Sequence, residues 1–150
     1  MARRCGMRLL LAAADVPYYR EAVAPLVDGT NIVYVGEVDF DTKVRLCGGA
    51  RALLYPVQEA EPFGLVLAEA MACGTPVAAL NRGAVAEVVD EGVTGWMFGS
   101  IDDMARGIER VLQLDRRRVR ARAVERFGVL SMVDGYVTAF RRIIAERDRR

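Results

Sequence analysis

The decisive stretch of this 150-residue chain is the segment 61–77, which reads EPFGLVLAEAMACGTPV. It predicts an interior helix, because its side chains are almost all apolar. Pro62 suits the first turn, where a proline leaves no N–H unpaired, and Gly64 lets a ligand come close to the backbone. The free N–H groups at a helix N-terminus attract anions, and phosphate is the usual one. The segment therefore predicts an anion site at the start of a buried helix.

Two acids, Glu61 and Glu69, bracket this predicted anion site. A helix rises about 1.5 Å per residue, so Glu69 lies roughly 7 Å beyond Gly64 along the axis. That is about the reach from a phosphate to its attached sugar. A carboxylate among apolar neighbours is costly unless donors such as hydroxyl groups satisfy it. Taken singly, Glu61 is explained as a favourable charge at a helix start and Glu69 as the partner of a buried arginine. Together they predict hydroxyl-rich groups on both sides of a diphosphate.

The spacing of these acids, followed by AMACGTPV over 70–77, resembles the E-x7-E signature of retaining GT-B glycosyltransferases of the large group 1 family. The block EVVDEGVTG over 87–95 resembles the next block of that family. From about Met7 onward, the chain is similar to the C-terminal, nucleotide-sugar-binding half of the fold. The resemblance implies a domain that binds a nucleotide-diphosphate sugar for retaining, metal-independent glycosyl transfer.

The same resemblance implies roles for individual residues. Glu61 is the catalytic-site residue and holds hydroxyls of the donor sugar, whereas Glu69 holds the ribose of the nucleotide. The three backbone N–H groups from Phe63 to Leu65 meet the diphosphate, and the two side chains after Gly64 pack near the nucleoside. The segment 35–38 corresponds to the loop on the base side. The implied donor-binding residues are thus Glu61, Phe63, Gly64, Leu65, Val66 and Glu69.

Short apolar runs alternate with helical patterns along the first 100 residues, which is typical of buried parallel strands in an α/β protein. The predicted fold is a doubly wound, mostly parallel, Rossmann-like sheet with C-terminal helices, and ligands bind beyond the carboxyl ends of such strands. Asp41 is predicted to cap a helix over 41–46. The predicted strands are 8–15, 31–35, 52–55, 76–80 and 96–98, and the other helices are 17–27, 84–89, 101–114, 116–127 and 131–147. In the last helix, five side chains are predicted to face inward: Val133, Tyr136, Val137, Phe140 and Ile144.

Composition narrows the functional classes. The 150 residues are 53% apolar, so we expect one domain over 1–150, with a helical segment from about 101. Its net charge is +1, so we expect no nucleic-acid partner. The arginine-rich run 116–122 lacks aromatic residues and is interpreted as a solvated helix face or one that docks another domain. The absence of histidine excludes a histidine-based triad and histidine-ligated metals. The pattern DFD at 39–41 can hold a divalent metal, but a helix cap explains it better, so we expect no metal or other cofactor.

Compartment is inferred from the cysteines and the apolar runs. Three cysteines without C-x-x-C spacing predict reduced thiols and a cytoplasmic protein. The apolar run 7–14 is too short for the ~20 residues of a membrane span. It fits a buried strand as well as a secretion signal, so we do not expect secretion.

The sequence also departs from the family pattern. Group 1 enzymes place an arginine and a lysine before the first strand of this half to neutralise the leaving diphosphate, whereas here Arg3 and Arg4 do not lie in such a motif. The glycine expected after the first strand is an alanine, Ala13 or Ala14. We therefore expect the acceptor-binding N-terminal domain to be absent from this chain. The isolated chain should bind a nucleotide weakly and turn over little or nothing.

Partners and alternatives follow from that expectation. The partners are a nucleotide-diphosphate sugar, a separate N-terminal domain or partner chain, a second copy meeting through the exposed cleft face, and a membrane surface for the full enzyme. The alternative is a catalytically inactive nucleotide-sugar-binding or regulatory module. A structural interaction domain and a sugar-nucleotide epimerase or phosphorylase are further alternatives, although Lys43 is the only lysine available for a pyridoxal enzyme.

Overall fold

The computed structural model describes residues 2–60, 62–147 and 149. It begins with a 3-10 turn, Ala2–Cys5, and a pair of parallel strands, β1 (Leu9–Ala12) and β2 (Ile32–Gly36). Between them, the helix predicted over 17–27 is replaced in large part by a π-helical turn, Tyr19–Val23, and a 3-10 turn, Ala24–Leu26, which contains Pro25. Stacking of the Tyr19 and Tyr34 rings, with centroids 3.9 Å apart, holds this segment against β2.

Three further strands form a second parallel sheet in the order β3-β4-β5. They are β3 (Leu53–Tyr55), β4 (Val77–Leu80) and β5 (Gly95–Phe98). In register, Leu53 lies beside Val77, and Val77 lies beside Gly95. The α/β class and the parallel sense of the strands are confirmed, with the hydrogen-bonded ladders of the described residues divided between these two sheets.

The helices are α1 (Phe40–Gly49), α2 (Leu65–Ala72), α3 (Val85–Val88), α4 (Ile101–Leu112), α5 (Arg116–Phe127) and α6 (Val129–Arg147). They cover both faces of β4, whose side chains are all buried. Because successive side chains of a strand point to opposite faces, Val77 and Ala79 join one core with α2, α3 and α5, whereas Ala78 and Leu80 join another with α4. The central strand β4 therefore has a layer of helices packed on each face.

Helix α1 begins differently from the prediction. Asp39 is the cap, because its Oδ1 accepts the N–H of Thr42 at 2.7 Å, and Asp41 lies within the first turn. Either aspartate of the DFD pattern suits a cap, and the backbone of Asp39 is the one in extended conformation. The helix also continues through Gly49, three residues beyond its predicted end at residue 46.

The last helix, α6, is exposed along its apolar face. Its predicted inward side chains, Val133, Tyr136, Val137, Phe140 and Ile144, are 39–60% exposed. The prediction that they face inward is wrong. An amphipathic pattern identifies which face of a helix is apolar, but it does not show that the same chain covers that face. Among the described residues, no helix is both long enough and apolar enough to cross a membrane.

Candidate functional site

The motif segment leaves the carboxyl end of β3 and enters α2 through Gly64. Helix α2 begins at Leu65, and Gly64 caps it in a left-handed conformation with φ of +77°. Pro62 therefore lies before the helix, and the prediction that it occupies the first turn is wrong. The left-handed residue separates the proline from the first helical position. Glu61, the predicted catalytic residue, lies outside the described residues.

Gly64 is required by space as well as by its backbone conformation. A Cβ at this position would lie 3.0 Å from Cδ1 of Leu67 and 3.2 Å from the hydroxyl of Tyr55. Both neighbours are buried, and the N–H of Leu67 donates to the carbonyl of Gly64 at 2.9 Å. The first turn of α2 is thus packed closely against the end of β3, where ligands of parallel α/β sheets bind.

Four of the predicted donor-binding residues, Phe63, Gly64, Leu65 and Val66, lie at this helix start. Leu65 is 70% exposed and Phe63 is half-exposed, while Val66 is partly buried against the core. The ring of Phe63 meets the ring of Phe127 edge-on, with centroids 5.9 Å apart, which ties the loop to the end of α5. The first N–H groups of a helix generally lack a partner within the helix and can meet an anion, but that of Leu67 is already bonded to the carbonyl of Gly64.

Glu69 is not the fully buried acid that the sequence predicts. Its side chain is 40% exposed, and its Oε1 accepts a hydrogen bond from Nζ of Lys43 at 2.6 Å. Helix α2 buries Leu67, Ala70 and Met71, and Glu69 lies on the flank that faces α1. The apolar sequence around it was taken to mean burial on all sides, but α2 is covered on one side by a helix that carries a lysine.

Lys43 is a site residue that the sequence analysis missed. It lies in the first turn of α1, where its N–H donates to the carbonyl of Asp39 at 2.9 Å, and its side chain is 36% exposed. The ammonium also lies 5.8 Å from the centre of the Phe40 ring. The signal in the sequence was its status as the only lysine. Nothing in the sequence indicated a pairing with a residue 26 positions later.

A polar cluster fixes the far end of α1 against α2 and α5. The hydroxyl of Thr75, which is fully buried, donates to the carbonyl of Cys47. The guanidinium of Arg116 donates to the carbonyls of Gly48, at 2.7 Å, and Ala50, and to the Thr75 hydroxyl at 2.9 Å. These bonds hold the two helices that carry Lys43 and Glu69 in a fixed relation.

Free thiols lie near the same helices. Burial raises the pKa of the Cys47 thiol, and the neighbouring Cys73 and Glu69 raise it further. A raised pKa keeps a thiol protonated and unreactive at neutral pH. Cys5, Cys47 and Cys73 are free thiols, as the sequence predicted.

The block 87–95 connects the end of α3 to the start of β5, and side chains of α5 hydrogen-bond to it. Arg122 and Arg126 donate to the two carboxylate oxygens of Asp90, at 2.5 and 2.6 Å, and Arg126 also donates to the carbonyl of Glu87. The N–H of Asp90 donates to the hydroxyl of Thr94 at 2.9 Å. The arginine-rich run is therefore only partly a solvated face, since Arg116 and Arg122 join elements of this same domain.

Other predicted features are placed as follows. Gly36 ends β2 with φ of +76°, and its carbonyl accepts the N–H of Ala13, so the segment 35–38 lies at the carboxyl end of the first sheet. Arg3 and Arg4 form exposed ion pairs with Asp28 and Asp102.

Over the described ranges, no three residues among His, Cys, Asp and Glu are grouped to hold a metal ion. Two open surface grooves, one lined by residues that include Arg106 and Arg110 and the other by residues that include Arg118 and Arg122, are not lined by the described donor-binding residues.

Comparison with known proteins identifies the family. Residues 14–126 match the family model of glycosyl transferases group 1. The chain belongs to this family. The D-inositol 3-phosphate glycosyltransferase of Mycobacterium tuberculosis is 38% identical over 103 residues, which cover 60% of this chain and 22% of that protein. The chain thus spans about a fifth of the length of that curated relative.

Solved structures of known proteins have the same fold. AviGT4, a glycosyltransferase involved in Avilamycin A biosynthesis, superposes with a TM-score of 0.75 at 28% identity, over 96% of this chain and 45% of its own. HepE of Anabaena, solved in complex with UDP, superposes with a TM-score of 0.73 at 20% identity, over 89% of this chain and 40% of its own. These superpositions agree with the α/β fold predicted for this half of a GT-B glycosyltransferase.

Proposed function

We propose that this chain is the donor-binding domain of a group 1 glycosyltransferase and holds a nucleotide-diphosphate sugar at the start of α2. One observation carries the proposal. The N-terminus of α2, where the Leu65 side chain is 70% exposed, and the half-exposed carboxylate of Glu69 lie on one short helix at the carboxyl edge of the sheet. An anion site and a hydroxyl acceptor at this separation suit a diphosphate joined to a ribose.

The chemistry assigned to the site is electrostatic. The N–H groups from Phe63 to Leu65 would bind the diphosphate and stabilise its charge as it departs. Glu69 would accept hydrogen bonds from the ribose, and Glu61 would hold the donor sugar. Leu65 and Val66 would pack against the nucleoside. Transfer with retained configuration and without a metal is part of the proposal, and the UDP complex of HepE makes UDP the first nucleotide to try.

Transfer would require a second domain that binds the acceptor. The matched part of this chain covers 22% of the curated relative, which supports a further domain in the working enzyme. The apolar face of α6 is exposed in this chain. Such a face suits contact with the further domain or with a second copy of this chain. We place the complete enzyme in the cytoplasm, with its acceptor side at a membrane surface.

One observation favours a second candidate, an inactive binding or regulatory module. Arg3 and Arg4, the basic residues nearest the position where the family neutralises the diphosphate, are engaged by Asp28 and Asp102. A chain that used no other cation would bind a donor without promoting departure of the diphosphate. Consumption of donor by a complex of this chain with a partner encoded directly upstream would favour the enzyme, and a complex that binds donor without consuming it would favour the module.

Calorimetric titration tests donor binding. The chain is titrated with UDP, GDP and ADP, with and without EDTA, beside the variant Glu69→Ala and the control Glu109→Ala, which removes an exposed acid on α4. We expect at least one diphosphate to bind equally with EDTA, and Glu69→Ala to weaken it by about tenfold or more, while the control changes nothing. No heat with any of the three would overturn the proposal.

A further inference from the structure

The proposed function requires the carboxylate of Glu69, but it does not require the lysine, Lys43, that is paired with it. A ribose-binding carboxylate needs acceptor oxygens alone, yet Oε1 of Glu69 is already bonded to an ammonium at 2.6 Å. Both side chains remain more than a third exposed, so the pair lies at an accessible surface. Exposed ion pairs contribute little to folding stability. A contribution to folding stability therefore does not by itself explain why the only lysine of the chain is paired with this acid.

The pair presents donors and acceptors side by side. An ammonium has three N–H donors, of which Glu69 uses one, and a carboxylate has about four acceptor positions on its two oxygens. A vicinal diol offers two O–H donors and lone pairs on both oxygens. One hydroxyl can thus donate to the carboxylate while its oxygen, or its neighbour, accepts from the ammonium. Removing one hydroxyl of the diol leaves a charged group of the pair without that bond.

The backbone beneath the pair is rigid enough to discriminate between such ligands. Lys43 and Glu69 lie within helices rather than loops, and Asp39 caps the turn that carries the lysine. The bonds from Arg116 and Thr75 fix α1 against α2 and α5. Groups held on packed helices keep their geometry better than groups on loops.

We propose that Lys43 is a specificity-determining residue that forms, with Glu69, a donor–acceptor clamp for the 2′,3′-diol of ribose and so selects ribonucleotides over 2′-deoxyribonucleotides. This inference rests on the proposed function, because it assumes that the nucleoside lies beside α1 and α2. It adds a residue and a discrimination that nucleotide binding by Glu69 alone does not supply.

The experiment measures a ratio of affinities. UDP, GDP and ADP, each with its 2′-deoxy counterpart, are titrated into the wild-type chain, Lys43→Met and the control Arg45→Met. Arg45 lies on the same helix, is exposed, and bonds Thr42 rather than Glu69. Lys43→Leu, which also has no donor, is the second variant if Lys43→Met does not fold by circular dichroism. We expect wild type and Arg45→Met to prefer the ribonucleotide by about tenfold or more, and Lys43→Met to lose most of that preference.

The outcomes separate this inference from the proposed function. If a diphosphate binds but wild type shows no ribose preference, or the folded variant, Lys43→Met or Lys43→Leu, keeps the full preference, the clamp is overturned while donor binding stands. If no diphosphate binds, the proposed function fails and the clamp fails with it. A preference lost in Lys43→Met and kept in Arg45→Met supports the clamp, because a merely structural loss would weaken both nucleotides equally.

Discussion

Arg116 and Thr75 meet at 2.9 Å, the guanidinium donating to the hydroxyl, and their contact joins the start of α5 to the segment that follows α2. The same guanidinium binds the carbonyls of Gly48 and Ala50 at the end of α1. One side chain thus connects three helices around the candidate site. These contacts of Arg116 explain why the arginine-rich run 116–122 is not entirely a solvated face.

Removing this guanidinium should loosen the domain. Arg116→Met leaves two carbonyls and a buried hydroxyl with fewer partners, so we expect the free energy of unfolding to fall by about 1–3 kcal/mol. Arg117→Met, which removes an exposed neighbour on the same helix, is the matched control and should change it by less than about 0.5 kcal/mol. Urea denaturation followed by circular dichroism measures both. Equal effects of the two variants would show that the contacts of Arg116 are not what stabilises this region.

Gly64→Ala should destabilise the start of α2. An alanine in the left-handed region costs roughly 1–2 kcal/mol, and its Cβ would also crowd Leu67 and Tyr55. We therefore expect a loss of about 1–3 kcal/mol in urea denaturation, with weaker diphosphate binding. Gly135→Ala, inside α6 where a Cβ meets no atom within 4 Å, should instead stabilise by about 0.5–1 kcal/mol. A neutral Gly64→Ala would contradict the described geometry of the cap.

The exposed face of α6 gives a third prediction. Phe140 is more than half exposed, so Phe140→Ser should change the stability of the chain by less than about 0.5 kcal/mol. Leu67→Ala, at a fully buried position, should cost about 2–5 kcal/mol. Thermal unfolding at several protein concentrations compares the two variants and reveals self-association. A loss of several kcal/mol for Phe140→Ser at every concentration would mean that this face is covered within the same chain.

Asp28 gives a prediction about pH. Its carboxylate accepts the backbone N–H groups of Ile32, Thr30 and Asn31, and these bonds hold its pKa well below the ordinary value of 3.8. A pKa lowered by folding means that the stabilisation is complete above the unfolded pKa and is lost as the pH falls below it. We expect the free energy of unfolding to decrease from about pH 4 downward, and Asp28→Asn to show a smaller decrease. An identical acid limb in both proteins would show that Asp28 does not carry this dependence.

The elements near the middle of the chain could be predicted because local sequence determines them. The apolar runs around Leu53 and Val77 form strands, as expected, of which the second is fully buried, and α2 follows the motif loop. Two other expectations failed for lack of long-range information. The partial exposure of Glu69 depends on a lysine that is brought to it only by the packing of α1 on α2. The exposure of α6 depends on what covers it, which an amphipathic pattern does not specify.

The donor-binding residues were predictable to a lesser degree. Gly64 was inferred from its permissive backbone, and its left-handed conformation agrees with that reasoning. The roles of Glu61 and Glu69 came from a resemblance, and they stay predictions until a ligand is bound. Lys43 could not be assigned from sequence, because a lysine in the first turn of a short helix has no periodic signal that points to a carboxylate 26 residues later.

The central claim is that a nucleotide diphosphate binds at the start of α2, and an NMR titration of the 15N-labelled chain with UDP, GDP and ADP tests it most directly. We predict that the amide signals of Gly64, Leu65 and Val66 move with added diphosphate, and that Glu69→Ala weakens this response. Shifts confined to the grooves near Arg106 or Arg122, or no shifts with any of the three, would contradict the claim.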